Sequence, residues 1–319
     1  MRRILKYLAL VLGTLLLFLG VAAVYNLTAP VPTFPVDIPD TVSILYNDTN
    51  TLIRGEKLVS MACVDCHLND DGKLAGQRFP EDDFGELYSA NITNHPTTGV
   101  GRYSDQELVH LLRTGLRPDG SQLIPIMPRL NKVSDEDIGA IIAFLRSDNP
   151  MVEPVDQQWP RLKPGFLAKA LLRLAFKPAE MPREPVVAPP LIDLPAHGEY
   201  LANALFDCFK CHSASFTSNN DAVPSLSEGY YEGGNPLSDM KGNLVPSANL
   251  TPHPEHGLGG WSLRDFSLAV RSGQRPDGQV LSDAMPRYAG LTDEELAAIW
   301  AFLQKLPVSD NVPRVATVE

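Results

Sequence analysis

The sequence Cys63-Val64-Asp65-Cys66-His67 recurs in related form as Cys208-Phe209-Lys210-Cys211-His212. Each copy places two thiols three positions apart and an imidazole directly after the second thiol. This is the spacing of a c-type haem attachment site, in which both thiols form thioethers to haem vinyl groups and the histidine binds the iron. We therefore predict two covalently bound haem c groups, one at Cys63, Cys66 and His67 and the other at Cys208, Cys211 and His212.

Two other kinds of site contain a Cys-x-x-Cys pair: redox disulfides and four-cysteine zinc sites. Neither accounts for a histidine directly after both pairs, and the βαβ pattern of a thioredoxin-like site does not surround them. All four cysteines of the chain belong to the two motifs, so no structural disulfide is expected.

Internal repetition continues beyond the cysteine motifs at a constant offset of 158 positions. The matching segments are Asn91-Ile92-Thr93 with Asn249-Leu250-Thr251, Gly99-Val100-Gly101 with Gly257-Leu258-Gly259, 113–120 with 271–278, and Met127-Pro128-Arg129 with Met285-Pro286-Arg287. The cysteine motifs are only 145 positions apart, so the second copy contains 13 additional residues, which we place in the loop 225–243. A duplicated domain is the simplest explanation.

Helical patterns recur in the same order in both copies. A helix is predicted before each haem motif, over 55–62 and 198–205, and a middle helix begins at Ser104 or Ser262. The last helix begins at Ser134 or Thr292, each followed by acidic residues that favour a first turn. Its apolar residues then recur on one face: Ile138, Ile141, Ile142 and Leu145, matched by Leu296, Ile299, Trp300 and Leu303. We predict an all-α fold in which the loops surround the cofactor.

The N-terminal segment combines Arg2, Arg3 and Lys6 with 19 uncharged residues, 7–25. At about 1.5 Å per residue, such a helix just crosses a hydrocarbon layer roughly 30 Å thick. The basic residues are expected on the cytoplasmic side, which places the haem domains in the periplasm. A cleaved signal peptide is the competing interpretation, with Val21-Ala22-Ala23 as a cleavage site.

The remaining segments complete the predicted organisation. The domains are 1–26, transmembrane anchor or signal; 27–50, proline-rich spacer; 51–148, first haem domain; 149–195, linker; 196–308, second haem domain; and 309–319, tail. The spacer is expected to be extended and to separate the first domain from the membrane. Residues 165–177 of the linker form an amphipathic pattern, predicted either to lie on the membrane surface or to pack between the haem domains.

The second axial ligand of each iron is predicted to be a methionine. Met127 and Met285 occupy equivalent positions and are both followed by proline, and methionine is a known partner of histidine on electron-transfer haem. Ordinary core methionines are the competing interpretation. His95 and His253 also align and are rival ligands, but bis-histidine ligation leaves both aligned methionines unexplained.

Haem propionates are anions and require hydrogen-bond donors. The equivalent pairs that offer donors are Arg113 with Arg271, Arg117 with Arg275, Asn91 with Asn249, and Tyr103 with Trp261. Arg117 and Arg275 also fit a simple Arg-Pro-Asp-Gly surface turn.

The formal net charge of −11 argues against nucleic acid as a partner and favours a basic or mixed docking face on a protein partner.

The combination of motifs resembles the membrane-bound multihaem cytochrome c subunits of bacterial alcohol, aldehyde and sugar-acid dehydrogenases. The resemblance covers 54–147 and 197–305 and includes both Cys-x-x-Cys-His motifs and both Met-Pro pairs. It implies two tandem class I cytochrome c domains, which in this chain follow the predicted N-terminal transmembrane helix. It also implies a dehydrogenase as electron donor and a quinone, an oxidase or another cytochrome as acceptor, at the inner membrane. This chain differs by having two haem motifs where those subunits commonly have three, and by its N-terminal anchor.

The predicted activity is single-electron transfer as a subunit of a larger complex, with no catalytic residue in this chain. Two other functions fit the same motifs. A dihaem peroxidase requires one haem with a vacant or displaceable ligand. A dihaem subunit of a terminal oxidase, resembling that of cbb3-type oxidases, would co-purify with the oxidase.

Overall fold

The computed structural model describes residues 2–40, 42–79, 86–161 and 164–314, so residues 315–319 of the predicted tail lie outside it. Helices dominate the described regions. They are α1 (Arg2–Thr28), α2 (Thr49–Ala62), α3 (Val64–His67), α4 (Asp105–Thr114), α5 (Asp135–Leu145), α6 (Phe166–Leu174), α7 (Leu194–Tyr200), α8 (Cys208–His212), α9 (Leu263–Ser272) and α10 (Asp293–Leu303). Short 3₁₀ turns occur at Val100–Arg102, Pro150–Val152 and Pro224–Leu226.

The chain divides into two compact units. Unit 1 consists of Met1–Thr41, Cys66–Arg129 and Leu145–Met181, and unit 2 consists of Val42–Asp65, Leu130–Phe144 and Pro182–Glu319. Helix α2 and most of α5, which belong to the first sequence repeat, therefore lie in unit 2 with the helices of the second repeat. The limits of the two haem domains stay a prediction.

The predicted helix starts are confirmed. Ser104 caps α4 in a reciprocal pair of hydrogen bonds with Glu107, and Ser262 makes the same pair with Asp265 at the start of α9. Thr292 and Glu295 repeat the arrangement at the start of α10. These side chains satisfy backbone N–H groups that have no partner within the helix, which is why polar residues precede each apolar face.

Glycine allows close helix crossings in unit 2. A Cβ added to Gly55 on α2 would lie 2.0 Å from the carbonyl oxygen of Ala140 on α5. A Cβ on Gly198 of α7 would lie 1.9 Å from the carbonyl oxygen of Ala298 on α10. Ala140 and Ala298 are equivalent by the 158 offset, so both repeats use the same crossing.

The predicted helix 198–205 is interrupted. Helix α7 ends at Tyr200 and continues as a wider π turn, Leu201–Leu205, in which Phe206 N donates to Leu201 O at 3.0 Å. Asp207 then adopts a left-handed conformation with φ 49°. Gly198 lies ten positions before Cys208, whereas Gly55 lies eight before Cys63. The π turn and Asp207 accommodate the two additional residues without displacing the haem motif.

The all-α prediction is not confirmed, because the additional segment of the second repeat contains two strands. Strands β1 (Pro236–Ser238) and β2 (Leu244–Pro246) pair antiparallel there, with Leu237 opposite Val245. The turn between them is closed by Asp239, whose side chain accepts from the backbone N–H groups of Lys241 and Asn243. Local turn chemistry produces this hairpin without an alternating apolar pattern.

Helix α1 is longer than the predicted segment. Its 27 residues are long and apolar enough to cross a membrane, a test that a signal sequence also passes. Residues 29–40 form no helix, as predicted, but they are part of unit 1 instead of a free spacer: Phe34 N donates to Gly120 O at 2.9 Å. The last two residues of the predicted spacer, 49–50, already lie in α2.

The predicted linker helix is confirmed as α6, and it packs against the C-terminal end of α1 within unit 1. Arg173 donates to the carbonyl oxygens of Ala29 and Pro30 at 2.7 and 2.8 Å, and Lys169 donates to Leu27 O at 2.9 Å. Basic side chains thus satisfy carbonyl groups just at and beyond the end of α1.

Candidate haem-binding site

The second motif opens onto a cavity in unit 2. Helix α8 places Cys208 and His212 in its wall, and Met285 from the later Met-Pro turn lines the same cavity. The remaining wall is apolar or aromatic, including Phe206, Tyr231, Phe266 and Tyr288. The space amounts to about 420 Å³, part of which is open to solvent. The fold therefore brings together three of the four side chains predicted for this site; Cys211 lies on α8, one position before His212.

Both motif histidines are oriented by a backbone carbonyl. His212 Nδ1 lies 2.9 Å from Ala248 O, and His67 Nδ1 lies 2.7 Å from Ala90 O. These two alanines are also 158 positions apart. Burial lowers the pKa of both histidines, so the neutral ring is favoured. A neutral imidazole that donates from Nδ1 leaves Nε2 as the nitrogen for a metal.

The cysteines of the second motif are buried thiols. Burial raises the pKa of Cys208 to about 12 and also raises that of Cys211. A zinc site would need thiolates held near a cation and further ligands. Within the described ranges, no group of three or more His, Cys, Asp or Glu side chains could hold a metal ion together.

The first motif also lies in a short helical segment, but its first cysteine is outside the helix. Cys63 directly follows α2, and Cys66 and His67 lie in α3. Met127 lies in a turn in which its N–H donates to Ile124 O at 3.2 Å, as Met285 N donates to Ser282 O at 3.1 Å. Cys63 belongs to unit 2, whereas Cys66, His67 and Met127 belong to unit 1.

Both rival histidines are used within their own loops. His95 Nδ1 accepts from Thr98 N at 3.2 Å, and His253 Nδ1 accepts from His256 N at 2.9 Å. The other nitrogen of His253 lies 3.1 Å from the carboxylate of Asp310. His253 does not line the cavity that contains Met285. This geometry favours methionine as the second ligand.

Asn91 and Asn249 were predicted propionate donors, and the structure shows a different role. The amide of Asn249 donates to Ser309 O and Asn311 O, and its oxygen accepts from both the N–H and the hydroxyl of Thr251. Asn91 makes the equivalent four bonds in unit 1. These saturated, buried amides fasten the loop to the segment that follows the last helix.

Among the predicted arginine donors, Arg271 is bound by protein acceptors, since it donates to Leu291 O at 2.6 and 3.0 Å and pairs with Asp293. Arg113 is almost fully buried. Arg117 donates to Ser121 and Gln122, and Arg275 pairs with Asp277 while its buried Nε has no hydrogen-bond partner. Arg275 therefore retains an unsatisfied donor, as a propionate-binding residue would without its ligand.

The sequence analysis did not single out one equivalent pair of residues that contacts the predicted methionine ligands. Arg129 and Arg287, in the Met-Pro-Arg triplets, donate to the carbonyl oxygens of Met127 and Met285. The duplicated triplet was the available signal, since the arginine repeats as faithfully as the methionine.

The comparisons with known proteins identify several cytochrome subunits as relatives of the chain. No protein-family model matches the chain. It is 30% identical to the fructose dehydrogenase cytochrome subunit of Gluconobacter japonicus over 81% of this chain and 53% of that protein. It is 29% identical to the gluconate 2-dehydrogenase cytochrome c subunit of Pantoea cypripedii, over 83% and 61% respectively. A diheme cytochrome c-type protein of Cereibacter sphaeroides is 26% identical over 94% of this chain and 98% of its own length.

The motifs and these relatives support an electron-transfer cytochrome c with covalently bound haem c. More particularly, the chain is similar to the cytochrome c subunits of dehydrogenases, and the predicted resemblance is confirmed. The chain spans about half the length of the fructose and alcohol dehydrogenase cytochrome subunits that it matches.

Proposed function

We propose that this protein is a membrane-tethered dihaem cytochrome c that passes single electrons from a periplasmic dehydrogenase to the respiratory chain. The observation that supports this most directly is the cavity that Cys208, His212 and Met285 share in unit 2. The haem iron would supply one-electron redox chemistry. The protein supplies the attachment, the axial ligands and the exclusion of water.

Each side chain of the site has a distinct role in the proposal. Cys63, Cys66, Cys208 and Cys211 form the thioether bonds. His67 and His212 bind iron through Nε2, because their Nδ1 atoms are bound to Ala90 O and Ala248 O. Met127 and Met285 complete the ligand sets, as the sequence equivalence predicts. If histidine and methionine both stay bound to each iron, no coordination position is left for a substrate. Such iron sites favour electron transfer over peroxidase chemistry.

The apolar wall of the cavity contributes to the redox behaviour. Phe266 is buried, and Tyr231 is fully buried with its hydroxyl hydrogen-bonded to Asn203. A dry, low-dielectric surrounding disfavours the additional positive charge of the oxidised iron. Together with a methionine ligand, this raises the reduction potential.

The location and the partners follow from α1 and from the relatives. The apolar window of helix α1 is exposed and could cross the membrane, with its basic N-terminus in the cytoplasm. Several relatives are named as cytochrome subunits of dehydrogenases, which favours a dehydrogenase as electron donor. A quinone, an oxidase or another cytochrome is the expected acceptor.

The haem content of the full chain, expressed with export and haem attachment and purified in detergent, tests the proposal. Two covalently bound haems per chain are expected. The double variant Cys208→Ala/Cys211→Ala should retain one, and Cys63→Ala/Cys66→Ala should retain the other. Colourless protein after export, or a haem that denaturant removes from the wild type, would refute the cytochrome assignment.

The axial ligands require a separate measurement. The methyl groups of methionine, labelled with ¹³C, are observed by NMR in the reduced full chain. Ligating methionines give methyl signals that the haem ring current shifts far from the others. Two such signals are expected, lost singly in Met127→Ala and Met285→Ala. Met240→Ala, at a side chain that is 86% exposed, should remove only an unshifted signal.

A further inference from the structure

The loop that carries Met285 is held by one side chain. Arg287 donates from Nη1 to the carbonyl oxygen of Met285. Its Nη2 donates to Leu281 O at 2.7 Å and to Ser282 O at 3.3 Å. A single guanidinium thus binds three carbonyl groups within the five residues that lead to the methionine.

The first repeat has the same arrangement in unit 1. Arg129 Nη1 donates to Met127 O at 2.6 Å, and Nη2 donates to Leu123 O at 2.8 Å and Ile124 O at 3.3 Å. The acceptors are equivalent by the 158 offset even though Ile124 and Ser282 differ in chemistry. Because the bonds go to backbone atoms, they fix the course of the loop whatever its side chains are.

Two glycines make room for these arginines. Gly115 and Gly273 end α4 and α9 with left-handed φ angles of 74° and 75°. A Cβ on Gly115 would lie 2.1 Å from Arg129 Nε, and a Cβ on Gly273 would lie 2.5 Å from Arg287 Nε. The helix end is therefore the surface against which the guanidinium packs.

The same glycines also hold the start of the loop. Leu123 N donates to Gly115 O at 2.7 Å, and Leu281 N donates to Gly273 O at 2.8 Å. The first residue of each loop is therefore bonded to the glycine at the helix end, and the methionine at its end is bonded to the arginine.

We propose that Arg129 and Arg287 are positioning residues that keep the sulfurs of Met127 and Met285 on the iron. This inference rests on the proposed methionine ligation. Methionine is flexible and its thioether is a weak, neutral ligand, so the loop backbone has to hold it at the iron. A planar guanidinium can serve three carbonyl groups in one geometry, which a lysine ammonium on a flexible chain cannot reproduce.

The experiment compares Arg287→Ala, Arg287→Lys and the surface control Arg264→Ala in the full dihaem chain. In the oxidised chain, the readout is the pH at which the shifted methyl signal of each methionine disappears as a deprotonated lysine amine or hydroxide would replace the thioether on the iron. In Arg287→Ala, the pH midpoint for loss of Met285 should fall by about one unit. That shift is a roughly tenfold change in the equilibrium constant for ligand exchange, about the net contribution of one hydrogen bond. The midpoint for Met127 should stay unchanged.

The remaining variants make the result specific. Arg129→Ala should affect Met127 alone, Arg287→Lys should fall between wild type and Arg287→Ala, and Arg264→Ala should match wild type. Gly273→Ala would displace the Arg287 side chain without removing its N–H groups. It should lower the Met285 midpoint as Arg287→Ala does, and it replaces Arg287→Ala in the comparison if that variant folds poorly.

The possible outcomes separate the two proposals. If the wild type lacks shifted methionine signals, methionine ligation itself is wrong. If the wild type has both signals and Arg287→Ala changes the equilibrium constant for loss of Met285 from the iron by less than twofold, the positioning role is refuted. Methionine ligation then still stands. Equal shifts of both methionines in every arginine variant would indicate general destabilisation and would also refute it.

Discussion

The Arg-Pro-Asp-Gly turn occurs twice, and the two copies have different surroundings. Residues 117–120 and 275–278 share the same backbone: Gly120 N donates to Arg117 O at 2.9 Å, and Gly278 N donates to Arg275 O at 3.0 Å. Both glycines have positive φ angles, 75° and 81°. The first turn is covered by other parts of unit 1, whereas the second is exposed.

The cover in unit 1 comes from the spacer and the linker. Phe34 N donates to Gly120 O, and Thr33 pairs with Ser121 in an isolated bridge. Arg161 forms an ion pair with Asp119 at 2.8 Å. In unit 2, a Cβ on Gly278 would meet nothing within 4 Å.

The difference extends to neighbouring side chains. His110 on α4 is 4% exposed, whereas its counterpart Leu268 on α9 is 37% exposed. Val280, at the edge of the second turn, is 73% exposed. Identical local sequence thus forms identical turns, but burial depends on segments that are distant in the chain.

The equivalent acids Asp137 and Glu295, both buried in unit 2, also have surroundings formed by distant segments of the chain. Asp137 accepts two hydrogen bonds from Arg54 and one from the Tyr200 hydroxyl at 2.6 Å. Glu295 accepts from Arg54 at 2.6 Å and from Lys57. Arg54 therefore joins helices from both sequence repeats.

The largest predicted effect is at Glu295. In Glu295→Gln, the amide oxygen can still accept the hydrogen bond from Thr292 N that caps α10. Arg54 and Lys57, however, lose the negative charge of the Glu295 carboxylate. Loss of one partner of a buried ion pair typically costs about 3 kcal/mol in free energy of unfolding. Urea unfolding of the full chain measures it, with the exposed Glu294→Gln as control. Equal stability of the two variants would contradict a structural role for the ion pair.

The pH dependence sharpens this test. Burial acts to raise the pKa of Glu295, but the hydrogen bond from Lys57, the Thr292 N–H and the charges of Lys57 and Arg54 lower it overall from its usual 4.5. The stabilisation is therefore present above pH 4.5 and is lost as the pH falls through the lowered value. Glu295→Gln should flatten the decline in stability as the pH falls below 4.5, relative to wild type. An unchanged slope would assign the acid sensitivity to other groups.

The two turn glycines provide a matched pair of smaller effect. Gly120→Ala and Gly278→Ala both place a Cβ at positive φ, which costs about 1 kcal/mol in each. Only the Cβ on Gly120 would also meet another segment, at 2.4 Å from Phe34 O. Gly120→Ala should therefore lower the free energy of unfolding by about 1 to 2 kcal/mol more, by analogy with overpacking. Faster proteolysis of 29–40 in Gly120→Ala alone would locate the damage at the spacer.

The smallest predicted effect concerns the carboxylate of the covered turn. Hydrogen bonds from Ser121, together with Arg161, lower the pKa of Asp119 to about 2. Its contribution is present above pH 3.8 and is lost as the pH falls toward 2. Because the pair is exposed, Asp119→Asn should cost only a few tenths of a kcal/mol, and Asp277→Asn about as little. Faster hydrogen exchange at Phe34 N in Asp119→Asn, with no change in Asp277→Asn, would confirm that Asp119 helps to hold the spacer.

Local patterns were sufficient for much of the molecule. The caps at Ser104, Ser262 and Thr292 predicted three helix starts, because a capping bond joins residues three positions apart. The internal repeat predicted the methionine equivalence. The hairpin 236–246 and the π turn before Cys208 were missed, since neither has an apolar period and both accommodate additional residues.

The amino-acid sequence by itself determined the haem attachment motifs, the helix starts and the duplicated turns, because thioether spacing, capping and turn formation depend on atoms a few residues apart. Only the tertiary structure decided that Met285 lines the same cavity as His212 and that Arg54 pairs with acids from both repeats. Those contacts join residues separated by long stretches of chain, and packing alone brings them within hydrogen-bonding or van der Waals distance.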